Sequence, residues 1–164
     1  MGAARRSSRG KGRGFTLIEM LVVLAMLGVL ASAGRPLLEL SVQRSREHEL
    51  RQALRTLREA IDTYKRAVEA GSITQSPEDS GYPPSLQALV DGVPDAKSPG
   101  GRKIYFLRRL PRDPFAPADQ TAADTWGLRA YDSAPDEPRA GRDVFDVFSR
   151  SGRSALDGTK LKDW

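Results

Sequence analysis

Glu19 carries the clearest chemical demand in the sequence, because no other side chain between residues 15 and 34 is ionised. A lone acid in an apolar, lipid-like setting is costly and calls for a cation beside it, so its presence there marks a function. Elsewhere the residue types that do chemistry are sparse. The only histidine, His48, sits between Glu47 and Glu49 in a polar stretch and reads as a solvated surface residue, not a metal ligand or general base. With no cysteine there is no disulfide, thiolate metal site or cysteine nucleophile. No nucleophile elbow, phosphate loop, metal-ligand cluster or pair of catalytic carboxylates is spelled out. A catalytic reading therefore has no residues to assign, and the chain is expected not to be an enzyme.

The element that must position Glu19 is a helix. Residues 15–34, wound as one, would extend about 30 Å, the thickness of a bilayer's hydrocarbon core. Ahead of them stand Arg5, Arg6, Arg9, Lys11 and Arg13 without an acid among them. Such a cluster stays cytoplasmic, which places the chain beyond the apolar run outside the cytoplasm. In a bacterium this describes a single-pass inner-membrane protein with a periplasmic C-terminal part. The same five charges equal the whole formal charge of +5, so residues 15–164 are neutral and no basic face for nucleic acid is expected. Ala31-Ser32-Ala33 spells an alternative, in which the run is a secretory signal and a soluble periplasmic binding protein is released after Ala33. Glu19 speaks against it, since a signal's apolar core has no use for a carboxylate.

Pro36 removes a backbone hydrogen bond and disfavours helical geometry before it, so a kink, a local melt or the end of the membrane helix is expected near residues 32–36. Residues 41–49 are polar nearly all round, as if they leave the membrane with no core to cover or meet another subunit. From Leu50, apolar side chains recur three and four apart through Ala53, Leu54, Leu57, Ala60, Ile61, Tyr64, Ala67 and Val68, the stripe of an amphipathic helix that Gly71 would cap. Arg44, Arg46, Arg51, Arg55 and Arg58 interleave with Glu47, Glu49 and Glu59, most simply as a salt-bridged, solvated face, with a partner-binding face as the other reading.

After residue 71 proline, glycine and aspartate dominate. A short helical stretch is expected over 85–90, stopped by Asp91-Gly92; KIYFLRRLPRDPF is partly extended; strands are expected over 126–131 and 144–148. The expected fold is α+β: a long N-terminal helix, membrane anchor plus amphipathic half, packed on a small antiparallel β-sheet with a loop-rich C-terminus. The organisation follows as a basic leader at 1–14, a transmembrane helix at 15–36, an amphipathic helix at 37–71 and a periplasmic region at 72–164.

GFTLIEMLVVLAMLGVL resembles the type IV prepilin signature. The resemblance implies that a prepilin peptidase cuts between Gly14 and Phe15 and N-methylates Phe15, leaving the apolar segment as an anchor and assembly helix. It also assigns Glu19, the fifth residue of the cut chain, to pairing with the terminal amine of a neighbouring subunit. The amine of its own chain, one helical turn away, is the local alternative. Subunits of this type often unwind near a proline placed like Pro36. GYPPSLQALVDG, RRLPRDPF, WGLRAYDS, DVFDVFSRS and LDGTKLKDW narrow the resemblance to the major pseudopilins of type II secretion systems. That implies a homo-oligomeric helical filament, with other pseudopilins, an inner-membrane platform protein, a cytoplasmic ATPase and an outer-membrane secretin as partners, and protein export as the task. A type IV pilin or DNA-uptake pseudopilin is the nearest alternative. Such pseudopilins commonly bind calcium in the loop before the C-terminus, which here offers Asp157 and Asp163. Two arginines and two lysines share that loop, and a plain turn at Asp157-Gly158 with Asp163 paired to a base is the competing reading.

Overall fold

A computed structural model describes residues 14–76 and 78–164, and within these the side chains other than those of 33–37. The basic leader expected at 1–14 lies, but for Gly14, outside the described residues. The chain divides into two compact units, one ending at Ser41 and one comprising Val42–Trp164. A single helix, α1 (Leu17–Glu69), supplies the regular structure of the described residues of the first and the central element of the second.

In the first unit the apolar residues find no cover among the described residues: Phe15 is 73% exposed, Leu17 80%, Leu24 65% and Val29 70%. A helix apolar on every side is stable only in lipid or among other helices. Among the described residues no helix is long and apolar enough to cross a membrane. The expected span closes at Ala33 and Gly34, whose side chains lie outside those described. The helical backbone continues through residue 36, so neither the break nor the melt expected at Pro36 is present in the isolated chain. Proline forfeits one N–H bond, while the turns on either side of it in this 53-residue helix keep theirs.

The second unit is built on the stripe read from the sequence. Leu50, Ala53, Leu54, Leu57, Ala60, Ile61 and Tyr64 are buried, with Ala67 and Val68 packed at the margin. Against them lie Ile73, Leu86, Leu89, Trp126, Val144, Val147, Ala155 and Leu161. Each fully buried aliphatic side chain contributes roughly 1.5–3 kcal/mol, so this stripe holds the unit together. Gly71 ends the helix as expected: at φ 72° its N–H donates to Val68 O (2.8 Å) while Ser72 N–H donates to Ala67 O (2.8 Å).

The small antiparallel sheet expected from the runs near 126 and 146 is present, and a second, shorter antiparallel ribbon is separate from it. After the short helix α2 (Ala88–Asp91), β1 (Val93–Pro94) pairs with β2 (Lys103–Ile104). β3 (Trp126–Arg129) pairs with β4 (Asp146–Ser149) in the register Trp126 to Ser149 and Arg129 to Asp146. The strand expected from residue 144 starts later because Val144 N–H is spent on Pro83 O (2.8 Å). Gly127 faces Phe148, whose ring lies where a Cβ would stand. A 3₁₀ turn, Leu161–Asp163, completes the unit.

Buried polar groups fix the loops. Asp113, 2% exposed, accepts from Ser149 Oγ (2.5 Å) and Phe115 N–H (2.7 Å), and its own N–H donates to Thr125 Oγ1 (3.2 Å). Trp126 Nε1 donates to Pro111 O (2.9 Å). The RDPF loop is thereby tied to both strands of the second ribbon.

Candidate processing and assembly site

Gly14, Phe15 and Thr16 precede the helix in exposed, non-helical backbone. Thr16 ends that lead-in: its Oγ1 accepts the Glu19 N–H (3.3 Å) and its carbonyl accepts the Met20 N–H (3.2 Å), the first bond of the helix. Threonine three residues before glutamate is the pairing of a capping box, and it sets Glu19 in the first turn, where the positive end of the helix favours an acid. Thr16 has a written signal too, T-x-x-E at the head of an apolar run. Gly14 has no positive φ and nothing within 4 Å of an added Cβ, so neither backbone nor packing among the described residues demands glycine there.

The carboxylate of Glu19 is exposed, as are the side chains of residues 20–32. In the isolated chain the site is therefore open: a peptide bond within reach of an enzyme, followed by an acid on a bare apolar helix. The alternative cut after Ala33 falls within continuous helical backbone.

At the other end of the chain the arginine stripe departs from the expected ladder along the helix. Arg58 Nε meets Asp146 Oδ1 at 2.8 Å, and its Nη2 donates to Val147 O (3.2 Å) and Trp164 O (2.7 Å). Arg51 Nη2 meets Asp157 Oδ2 at 3.3 Å, and its guanidinium lies 4.0 Å from the Trp164 ring centroid. Glu47, 5% exposed, accepts from Gln43 Nε2 (3.0 Å) and from the Leu156 N–H (2.8 Å). Gln43 and Glu47 are thus covered by residues 154–156, where the sequence suggested no core to cover, while Arg44, Ser45 and Arg46 between them are exposed. His48 is exposed, as read.

The two calcium candidates do not form a donor set. Asp157 Oδ1 accepts the Thr159 N–H (3.0 Å) and hydroxyl (2.6 Å), with Arg51 on Oδ2. Those hydrogen bonds, and then the guanidinium, hold its carboxyl below the ordinary value of 3.8. Gly158, at φ 86°, makes the turn, as the competing reading has it. Asp163 is exposed in the 3₁₀ turn and enters no ion pair among the described residues. Nor, among those residues, do three of His, Cys, Asp and Glu gather. Calcium asks for six to eight oxygens, and the residues present do not fit it.

Residues 9–34 match the family model of the prokaryotic N-terminal methylation motif. The chain is similar to type II secretion system core protein G of Klebsiella michiganensis, 30% identical over 94% of this chain and 91% of the relative. It is 37% identical to that of Klebsiella pneumoniae over 63% of this chain and 69% of the relative. With that of Vibrio cholerae the identity is 29% over 73% and 82%. No solved structure matches the chain.

Proposed function

Since the chain belongs to the type II secretion system core protein G family and is a pseudopilin subunit of that system, we propose that it is cut between Gly14 and Phe15 and polymerises through its apolar helix. Membrane association and periplasmic exposure go with the motif and the family. In the finer reading the subunit waits as a single-pass protein of the inner membrane with residues 42–164 in the periplasm. A prepilin peptidase removes the leader and methylates Phe15, and the product joins a helical homo-oligomer with other pseudopilins. A platform protein organises the filament and an outer-membrane secretin receives its cargo. The task is structural, and no catalytic set is assigned.

The observation that carries this reading is the methylation motif lying over an open Gly14–Phe15 bond, a threonine cap and a bare apolar helix. A glycine that nothing among the described residues requires is accounted for by an enzyme that reads it. Assembly supplies both missing partners: neighbouring helices cover residues 17–32, and an amine faces Glu19, so that burial of each charge is compensated.

N-terminal sequencing and mass measurement of material from its own membrane test the cut. Methylated phenylalanine at position 15 is the expected terminus. Glycine at position 34 would replace the proposal with release of a soluble protein.

A further inference from the structure

The resemblance gives the last loop a calcium ion, whereas the contacts of Asp157 give it a guanidinium. A carboxylate offers about four lone-pair sites. On Asp157 they meet the Thr159 N–H, the Thr159 hydroxyl and Arg51 Nη2. A divalent ion taking both oxygens of this carboxylate would have to displace the arginine from Oδ2 and the Thr159 donors from Oδ1. Arg51 also does what a bound ion does in such a loop, since it joins two separated points. One is Asp157 at the tip, the other the Trp164 ring stacked under the guanidinium. Trp164 Nε1 in turn donates to Thr159 Oγ1 (2.8 Å), which closes a circuit of Arg51, Asp157, Thr159 and Trp164.

We infer that the segment from Arg153 to Trp164 closes on α1 without a metal, with the guanidinium of Arg51 as its resident cation. The side chains of Arg51 and Asp157 are 45% and 51% exposed, so the ion pair alone would count for little. Its effect comes from acting together with the ring contact and with two further anchors on the same helix, Glu47 on the Leu156 N–H and Arg58 on Trp164 O. Inside the hairpin, Ala155 N–H donates to Thr159 O (2.8 Å) and Leu161 N–H to Arg153 O (3.1 Å). The cation therefore fastens a piece that is already folded back on itself.

The test uses the full chain in detergent micelles, with thermal melting and residue-level amide exchange as readouts. Melting is expected to be the same after EGTA treatment as in added calcium chloride. Arg51→Met, which keeps an apolar stem, is expected to speed exchange at Leu156, Thr159 and Leu161 by at least about threefold and to leave β3 unchanged. Asp157→Asn, which leaves the ring contact in place, is expected to speed the same amides by less, and the double variant to add nothing to Arg51→Met, because the ion pair is already gone. A melting point lowered by EGTA or raised by calcium overturns the inference. So does exchange that Arg51→Met leaves unaltered, or a double variant whose effect is the sum of the two single ones.

Discussion

The backbone N–H of Leu156 donates to Glu47 Oε1 at 2.8 Å, joining positions 109 residues apart in the chain. The carboxylate is 5% exposed, so the bond is made by an acid whose water has largely been removed. Hydrogen bonds to charged groups contribute about 1.5–3 kcal/mol, and losing one partner exposes the other to the cost of burial.

Glu47→Ala is expected to lower unfolding stability by about 2 kcal/mol, and Glu47→Gln, which keeps an acceptor for Leu156, by less. Urea denaturation of the full chain in micelles measures both. Equal losses in the two variants would contradict the assignment of the acceptor.

Asp113 holds the RDPF loop against β4 with no cation beside it among the described ion pairs. Asp113→Ala strands the Ser149 hydroxyl and the Phe115 N–H and is expected to cost about 3 kcal/mol. Ser149→Ala should cost about half as much. The pair can be compared by thermal melting followed through the fluorescence of Trp126, whose indole is tied to Pro111 in the same loop.

At the other end, Thr16→Val removes the oxygen that accepts the Glu19 N–H, a loss of about 1 kcal/mol of helix stability. Faster amide exchange at Ile18 and Glu19 is expected in micelles, with Thr16→Ser restoring protection. Glu19→Ala is expected to be cut and methylated like the parent yet to yield no filaments, because the terminal amine would then be buried uncompensated. Mass measurement and electron microscopy of the same preparation read the two outcomes, and filaments in normal yield would refute the role given to the acid.

Two titrations should bound the stability plateau. Burial pushes the Tyr64 phenol above its ordinary 10.0, against the hydrogen bond from Gln75. Its contribution is complete below 10.0 and is lost as pH rises through the higher folded value. Tyr64→Phe should flatten that alkaline limb, with a remainder from Tyr82, which burial raises too. Asp157 behaves oppositely. Its contribution is present above 3.8 and is lost as pH falls through its depressed folded value, which a carboxyl NMR titration would follow.

The parts of the fold that could be read ahead are those with a short period. Leu50 through Val68 announce their face because side chains three and four apart share it, and Gly71 announces its cap because few other residues accept that φ. Glu47 could not be read as buried, because what covers it is a loop more than a hundred residues later. The pairing of the runs near 126 and 146 was legible from their apolar pattern, whereas Val93–Pro94 and Lys103–Ile104 are too short to show alternation, so their ribbon was not. At the head of α1 the methylation motif over residues 9–34 shows in the order of residue types, while the arginines of α1 gave no hint whether their acids lay along the helix or across from it.

Gly127 leaves the second ribbon with a slot that Phe148 fills. The vacancy and its occupant are a matched pair, so neither position can drift alone. A methyl at 127 would evict the ring, and a small residue at 148 would leave a hollow beside bare backbone. Descendants of this sequence should therefore change these two sites together or keep both.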